Sequence, residues 1–359
     1  MELSNDRLRK MNAKYNLFNI TYSKWFYRLF LEADDVSFLN KSDRFKNCLQ
    51  FWDFDYYPQN NVLDSQYFNR CFDNRFCPNC KLVDISRFIS NFKKILPSLT
   101  QDNYCYMLTL TIPSCSGEDL SNTISYMSKC FSKLTRFFSP KRAAFHFVDF
   151  VGGVKVLELT HNKIDDTFHP HYHCFLMLPK SQVYSLPGIF DKTIKGRFNI
   201  KKNKFDVYSP FDCFLIKIWT LIYYKKRLNK FNLEYYDFSP DDLRFDDAGN
   251  FYLQADIRPL DHKGFYEIFK YTFKDADIDS YDTFKYFFYG LFRKRLRQGF
   301  GLLYNFQCED FIDPPPDVLE LENEESPSVL YVDSLEDLFT TYSSCIKLSR
   351  RIDDLIDDD

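Results

Sequence analysis

A chain of 359 residues with 45% hydrophobic and 27% charged side chains is long enough to bury a full core and one main domain with appendages. No apolar run reaches transmembrane length and the opening MELSNDRLRKMNAKYNL lacks a signal-peptide core, so a cytoplasmic protein with no membrane partner is expected, its 11 cysteines thiols or metal ligands rather than a disulfide framework. The net charge of −3 conceals two unlike parts: residues 306–359 hold 16 Asp/Glu against 3 Lys/Arg, so residues 1–305 carry +10, which suits electrostatic binding of nucleic acid.

In chain order, residues 1–47 read as mainly helical, with Tyr22, Trp25, Phe26, Leu29 and Phe30 set among Lys and Arg. Residues 48–80 combine four cysteines with many turn formers, and with the helical stretch they make an expected N-terminal region over 1–100. Residues 104–113, YCYMLTLTIP, alternate as a strand and stop at a proline. Ile124, Met127, Phe131, Leu134 and Phe138 recur at helical spacing before Pro140. FVGGVKVLELT and HYHCFLMLP read as two strands of a hairpin with a long connection, HNKIDDTFHP. Residues 211–228 read as a helix around Phe214, Ile218 and Trp219, 251–258 as a strand, and 263–275 and 282–297 as helices. Strands and helices mixed in this order predict an α+β sheet domain over 101–305. Pro314-Pro-Pro316 opens an acidic segment, 306–359, expected as a flexible tail that is solvated or competes with DNA for the basic body.

Three constellations carry chemistry. His171 and His173 are two apart, so on a strand both imidazoles point to one face, and such a pair suits a divalent metal. A third ligand is needed. Glu158, flanked by Leu157 and Leu159 on the preceding strand, is one choice and His169 another, with His161 more remote. A carboxylate in the set favours Mg2+ or Mn2+, although imidazoles also suit Zn2+. Glu267 and Tyr271 stand one helical turn apart, with Lys270 and Lys274 beside them. In isolation that is an ordinary amphipathic helix; beside a metal-polarised phosphodiester, Tyr271 would serve as nucleophile and Glu267 as general base. Cys48, Cys71, Cys77 and Cys80 have the composition of a tetrahedral structural Zn2+ site, and the rival, a redox CxxC, lacks a thioredoxin-like context.

Four pieces in order resemble the replication initiators of small Gram-positive rolling-circle plasmids, which use one catalytic tyrosine and fall within the HUH endonuclease superfamily. They are Cys71-Phe-Asp-Asn-Arg75-Phe-Cys77-Pro78-Asn-Cys80, Leu108-Thr109-Leu110-Thr111-Ile112-Pro113, His169-Pro170-His171-Tyr172-His173 after Leu157-Glu158, and Glu267-Ile-Phe-Lys270-Tyr271-Thr-Phe-Lys274. The likeness runs from about Cys48 to Asn305; the acidic segment departs from initiators that are basic throughout. The resemblance implies a central antiparallel sheet of HUH (RRM/ferredoxin-like) type with flanking helices, the histidine strand in the middle. It also implies that Tyr271 attacks an origin phosphodiester to leave a 5′-phosphotyrosyl link, and that Glu267 activates the terminating water. His171 and His173 with Glu158 would hold the ion, and Lys270 and Lys274 would neutralise phosphate charge. Plasmid origin DNA, single-stranded or as a hairpin, and a host helicase and DNA polymerase are the partners implied. The alternatives are another single-tyrosine HUH nickase, of a transposase or a phage replication protein, or a zinc-containing DNA-binding protein without catalysis.

Overall fold

The computed structural model describes residues 5–48, 52–57, 62–68, 70–141, 146–199, 203–230, 232, 253–260, 265, 268–269, 277–304 and 328–331. It divides into two compact units, residues 1–87 with 310–359, and residues 88–309.

The first unit begins with helices α1 (Asn5–Ala33) and α2 (Val36–Lys46). Asp35 caps α2, its carboxylate accepting from the Ser37 amide at 2.9 Å. Tyr22, Phe26 and Leu29 of α1 are buried with Phe45 of α2 and Phe76, the Phe26 and Phe45 rings 5.0 Å apart. A hairpin follows, β1 (Trp52–Tyr57) and β2 (Val62–Phe68), where the sequence suggested only turns around cysteines. Its signal was the alternation of aromatic residue and Asp in Trp-Asp-Phe-Asp-Tyr. Ser328–Tyr331, from the acidic segment, pairs antiparallel with β1 as a third strand.

Helix α3 (Pro78–Asp102) contains the boundary between the units. In the second unit follow β3 (Asn103–Thr111), α4 (Leu120–Phe137), β4 (Gly152–Asn162), β5 (Thr167–Pro179), the short α5 (Lys180–Tyr184), the hairpin β6 (Ile194–Asn199) and β7 (Lys204–Tyr208), and α6 (Pro210–Tyr223). Then come β8 (Ala255–Pro259), α7 (Tyr281–Leu291) and β9 (Arg297–Gly301); the strand Ser328–Tyr331 of the first unit is β10. The chain is α+β, with a five-stranded antiparallel sheet in the order β8-β3-β5-β4-β9, so the histidine strand β5 is central.

Two expectations are corrected. The β4–β5 connection spans only residues 163–166, because both strands continue through the stretch that reads as loop, bringing His161 and His169 into them. Phe168, fully buried on that extension, shows why it pairs rather than loops. The last helix stops at Leu291 and residues 297–301 turn into the edge strand β9. There Gly299 lies so close to the Leu303 carbonyl that a Cβ would sit 1.8 Å from its oxygen, so a glycine-rich segment can be a strand here although glycine ordinarily argues against one.

Burial along β5 alternates: Phe168, Pro170, Tyr172 and Cys174 are buried while His169, His171 and His173 are half-buried. One face of the sheet lies under α4, α6 and α7, as the Phe131–Tyr172 and Phe168–Phe287 ring contacts at 5.5 Å show. On the other face Met107, Val154, Val156, Phe175 and Met177 form a core with Phe88 and Phe92 of α3 and with the helical residues Phe265, Ile268 and Phe269. The Phe92 ring stands 4.9 Å from Phe175 and 5.4 Å from Phe269. Burying each such phenylalanine contributes roughly 1.5–3 kcal/mol.

Candidate metal centre and cysteine cluster

The antiparallel register sets Glu158 of β4 directly opposite His171 of β5. His173, two residues further on, is on the same face, because strand side chains alternate. The turn that sets this register is tied by its own side chains. The Asn162 amide donates to Asp165 at 2.7 Å and its oxygen accepts from the Ile164 amide at 3.1 Å. His161 donates to, or is paired with, Asp166 at 2.8 Å and so is engaged at the turn.

Glu158 Oε2 lies 2.8 Å from His173 Nε2 and 3.2 Å from His171 Nε2, with all three side chains only 12–13% exposed. Burial alone would raise the Glu158 carboxyl, but the hydrogen bonds and charge of the two histidines outweigh it and hold the group well below the usual carboxylate range. An anionic oxygen and two imidazole nitrogens therefore converge, and the three could hold a metal ion. Ligand atoms around an ion at about 2.0–2.2 Å stand about 3 Å apart, so these residues fit a divalent cation with little movement.

Second contacts orient the ligands. Thr109 Oγ1 is 3.1 Å from His173 Nδ1, which fixes that ring and leaves Nε2 to face Glu158. Thr109 and Thr111 are the cross-strand partners of His173 and His171; the Thr109 hydroxyl meets its histidine, whereas that of Thr111 donates to the Gln254 carbonyl at 3.3 Å. His169 stands outside the three-residue group; its ring stacks on His171 at 5.5 Å, and burial first, then the nearby His171, keep its imidazole below the ordinary value. Arg297 lies on β9, a strand the sequence did not reveal. It pairs with Val156, on the face that carries Glu158, and its guanidinium lies 4.7 Å from the Phe88 ring centre. Glu267, Lys270, Tyr271 and Lys274 lie outside the described residues.

In the first unit, Cys48, Cys71, Cys77 and Cys80 come together from the turn after α2, the loop before α3 and the first turn of α3, all 2% exposed or less. Sγ separations are 3.5 Å for Cys48–Cys77 and Cys71–Cys80 and 3.8 Å for Cys48–Cys80. Thiolates held tetrahedrally at about 2.3 Å from zinc would be about 3.8 Å apart, so the set fits that ion. Asp73 shapes the loop: its carboxylate accepts from the Arg75 and Phe76 amides at 3.1 and 3.0 Å and from Lys41 Nζ at 2.8 Å. The Arg44 guanidinium donates to the Cys71 carbonyl. The amides of Cys71 and Cys80 point at the sulfurs of Cys48 and Cys77 at 3.5 Å, an arrangement that stabilises thiolate.

These features define a chain with a histidine–carboxylate centre on a central sheet and a cysteine cluster before it, and the family described as "Replication protein" matches residues 64–185, which hold both but for Cys48. More particularly, the chain is 29% identical to "Protein rep" of Streptococcus pneumoniae serotype 2 over 118 residues, 32% of this chain and 35% of that one. It is 27% identical to "Protein rep" of a Bacillus species over 146 residues, covering 40% and 45% of the two chains. The corresponding protein of Staphylococcus aureus is 29% identical over 147 residues, 40% of this chain and 60% of the relative. The matches thus span less than two thirds of these relatives' own length. They bear out the resemblance to Gram-positive replication initiators of the rolling-circle plasmid type. No solved structure matches the chain. Among the described residues no helix is long and apolar enough to cross a membrane.

Proposed function

We propose that this protein initiates rolling-circle replication of a plasmid as a metal-dependent, site-specific nickase and strand transferase with a fold of the HUH type. The observation that carries the reading is the convergence of Glu158, His171 and His173 on adjacent strands inside the region similar to replication proteins. A second observation supports it. Phe265, Ile268 and Phe269, at helical spacing just before Tyr271 in sequence, pack on the sheet face that bears the two histidines and the glutamate. A helix anchored there is suited to deliver a nucleophile to a phosphate at the centre.

In this reading the Tyr271 phenol oxygen attacks the scissile phosphorus. The P–O3′ bond breaks, the 3′ oxygen leaves with a proton as the hydroxyl that primes synthesis, and the 5′ phosphate stays on the tyrosine. Because one phosphodiester replaces another, the bond energy is conserved for rejoining. Glu267 later takes a proton from water, whose oxygen displaces the phenol and ends the cycle. A divalent ion, Mg2+ or Mn2+, held by Glu158, His171 and His173 supplies Lewis-acid polarisation of the scissile phosphate. Lys270 and Lys274 neutralise phosphate charge near the nucleophile. Cys48, Cys71, Cys77 and Cys80 hold a structural zinc ion. The catalytic region is 101–305, the partners are origin DNA, host helicase and polymerase, and the location is cytoplasmic.

The test is incubation with single-stranded origin DNA and Mn2+. Wild type is expected to form a covalent protein–DNA adduct and Tyr271→Phe none, while Glu267→Ala forms the adduct and fails to release it. Adduct formation by Tyr271→Phe refutes the nucleophile, and normal release by Glu267→Ala refutes the terminating base.

A further inference from the structure

On the helical side of the catalytic sheet, remote in the layering from the histidine face, α4 and α6 end beside one another around an open cavity of about 260 Å3. Its rim carries Lys133 and Arg136 from α4 and Lys225, Lys226 and Arg227 from the segment after α6, all exposed. Phe137 and Ile222, buried at 1 and 2% exposure, form its floor. None of these five cations has an acidic partner within salt-bridge distance among the described residues. The segregation is written in the sequence: no Asp or Glu occurs from residue 120 to 148 or from 213 to 233. A merely solvating face would mix the two signs.

Cations at helix C-termini also complement the helix dipole, but one or two per end would do so. A further observation separates the explanations. Lys225 is the first residue past the α6 cap and holds a left-handed φ of 57°, with its amide donating to Ile222 O at 3.2 Å and that of Lys226 to Leu221 O at 2.8 Å. This is the position where glycine ordinarily ends a helix. A lysine stands there at a conformational cost that a dipole partner, placed one residue away, would not have to bear; its Nζ lies 5.5 Å from the Tyr126 ring centre, a contact that leaves the residue exposed on the rim.

We propose that this groove grips the sugar–phosphate backbone of duplex DNA, so that the protein holds double-stranded DNA on its helical face while its histidine face acts on a single strand. The proposal rests on the reading that DNA is the partner. Duplex is favoured over single strand because the cavity offers cations but no exposed ring on which a base could stack, its one aromatic lining residue being buried.

The test is fluorescence anisotropy of the full chain with a random-sequence duplex between about 50 and 200 mM KCl. Lys225→Gln/Lys226→Gln/Arg227→Gln is expected to reduce the slope of log K against log salt by about 2 to 3, since each phosphate contact contributes about 0.9. Lys225→Gly is expected to raise the melting temperature while lowering duplex affinity. An unchanged slope in the triple variant, whether the acidic carboxy-terminal segment or nothing fills the groove, overturns the proposal and leaves the nickase reading intact. A Lys225→Gly protein that melts lower and binds as well as wild type also overturns it, by showing the cation serves the helix end. A wild-type chain that binds neither duplex nor single strand overturns this proposal and the nickase reading together.

Discussion

Lys155 offers a sharp test of the packing beneath the site. It lies on β4, but its side chain enters the face opposite Glu158, where only 4% of the residue is exposed. Its Nζ donates to Ser128 Oγ at 3.0 Å and stands 4.8 Å from the ring centres of Phe131 and Tyr172. Burial pushes its ammonium down to about 8 from 10.5; Cys174 opposes the shift and Arg295 adds to it. The unfolded chain therefore binds more protons than the folded one between those two values, so stability from this group rises with pH across that window and is lowest below pH 8. A displacement of that size corresponds to about 3 kcal/mol at neutral pH. Lys155→Met removes the penalty together with a hydrogen bond and a ring contact worth about 1–2 kcal/mol in all, leaving a net gain of about 1–2 kcal/mol at pH 7. Urea denaturation of both proteins at pH 7 and pH 10 checks this, the comparison cancelling every other titrating group. The advantage of the variant should shrink by about 2–3 kcal/mol at the higher pH. A difference that is the same at both pH values would refute the reasoning.

Other outcomes follow from single contacts. Glu158→Gln removes the anionic member of the centre and should weaken Mn2+ binding, followed by calorimetry, by on the order of 100-fold or more, beyond the loss usual for an outer contact. Cys77→Ser should abolish stoichiometric zinc measured by atomic emission and lower the melting temperature, because a structural ion binds only the folded site. Asp212, at 0% exposure, accepts from Lys192 Nζ at 2.6 Å, from Ser209 N and Oγ at 2.6 and 2.7 Å and from the Ile257 amide at 2.8 Å, tying α6 to β8. Asp212→Ala should destabilise by about 3–5 kcal/mol in chemical denaturation, since it strands those donors.

The central hairpin and its histidines were legible because alternation does double work: it places His171 and His173 on one face and buries Tyr172 and Cys174 on the other. Glu158 was legible as a partner because a charge between Leu157 and Leu159, both buried, demands one. Other elements gave weaker or conflicting signals. Helix α3 shows Phe88, Phe92 and Leu99 at helical spacing, yet it adjoins the cysteines, whose turn-rich context dominates a reading of that stretch. Strand β9 is short and glycine-rich, so local propensity opposes it and only tertiary contact makes it a strand. The contact of Thr109 with His173 depends on which strand lies beside β5, a non-local fact that alternation cannot supply. The groove between α4 and α6 likewise joins residues about 90 apart in sequence, although each half shows its one-signed charge plainly.

In the proposed reaction a tyrosine acts at the Glu158–His171–His173 centre, and the most direct measurement is the identity of the residue that carries DNA. Wild type incubated with single-stranded origin DNA and Mn2+, digested with protease and mapped by mass spectrometry, should yield one nucleotide-linked peptide, modified at Tyr271 and absent when EDTA is present. A link at another residue, or one that forms equally well in EDTA, would contradict it.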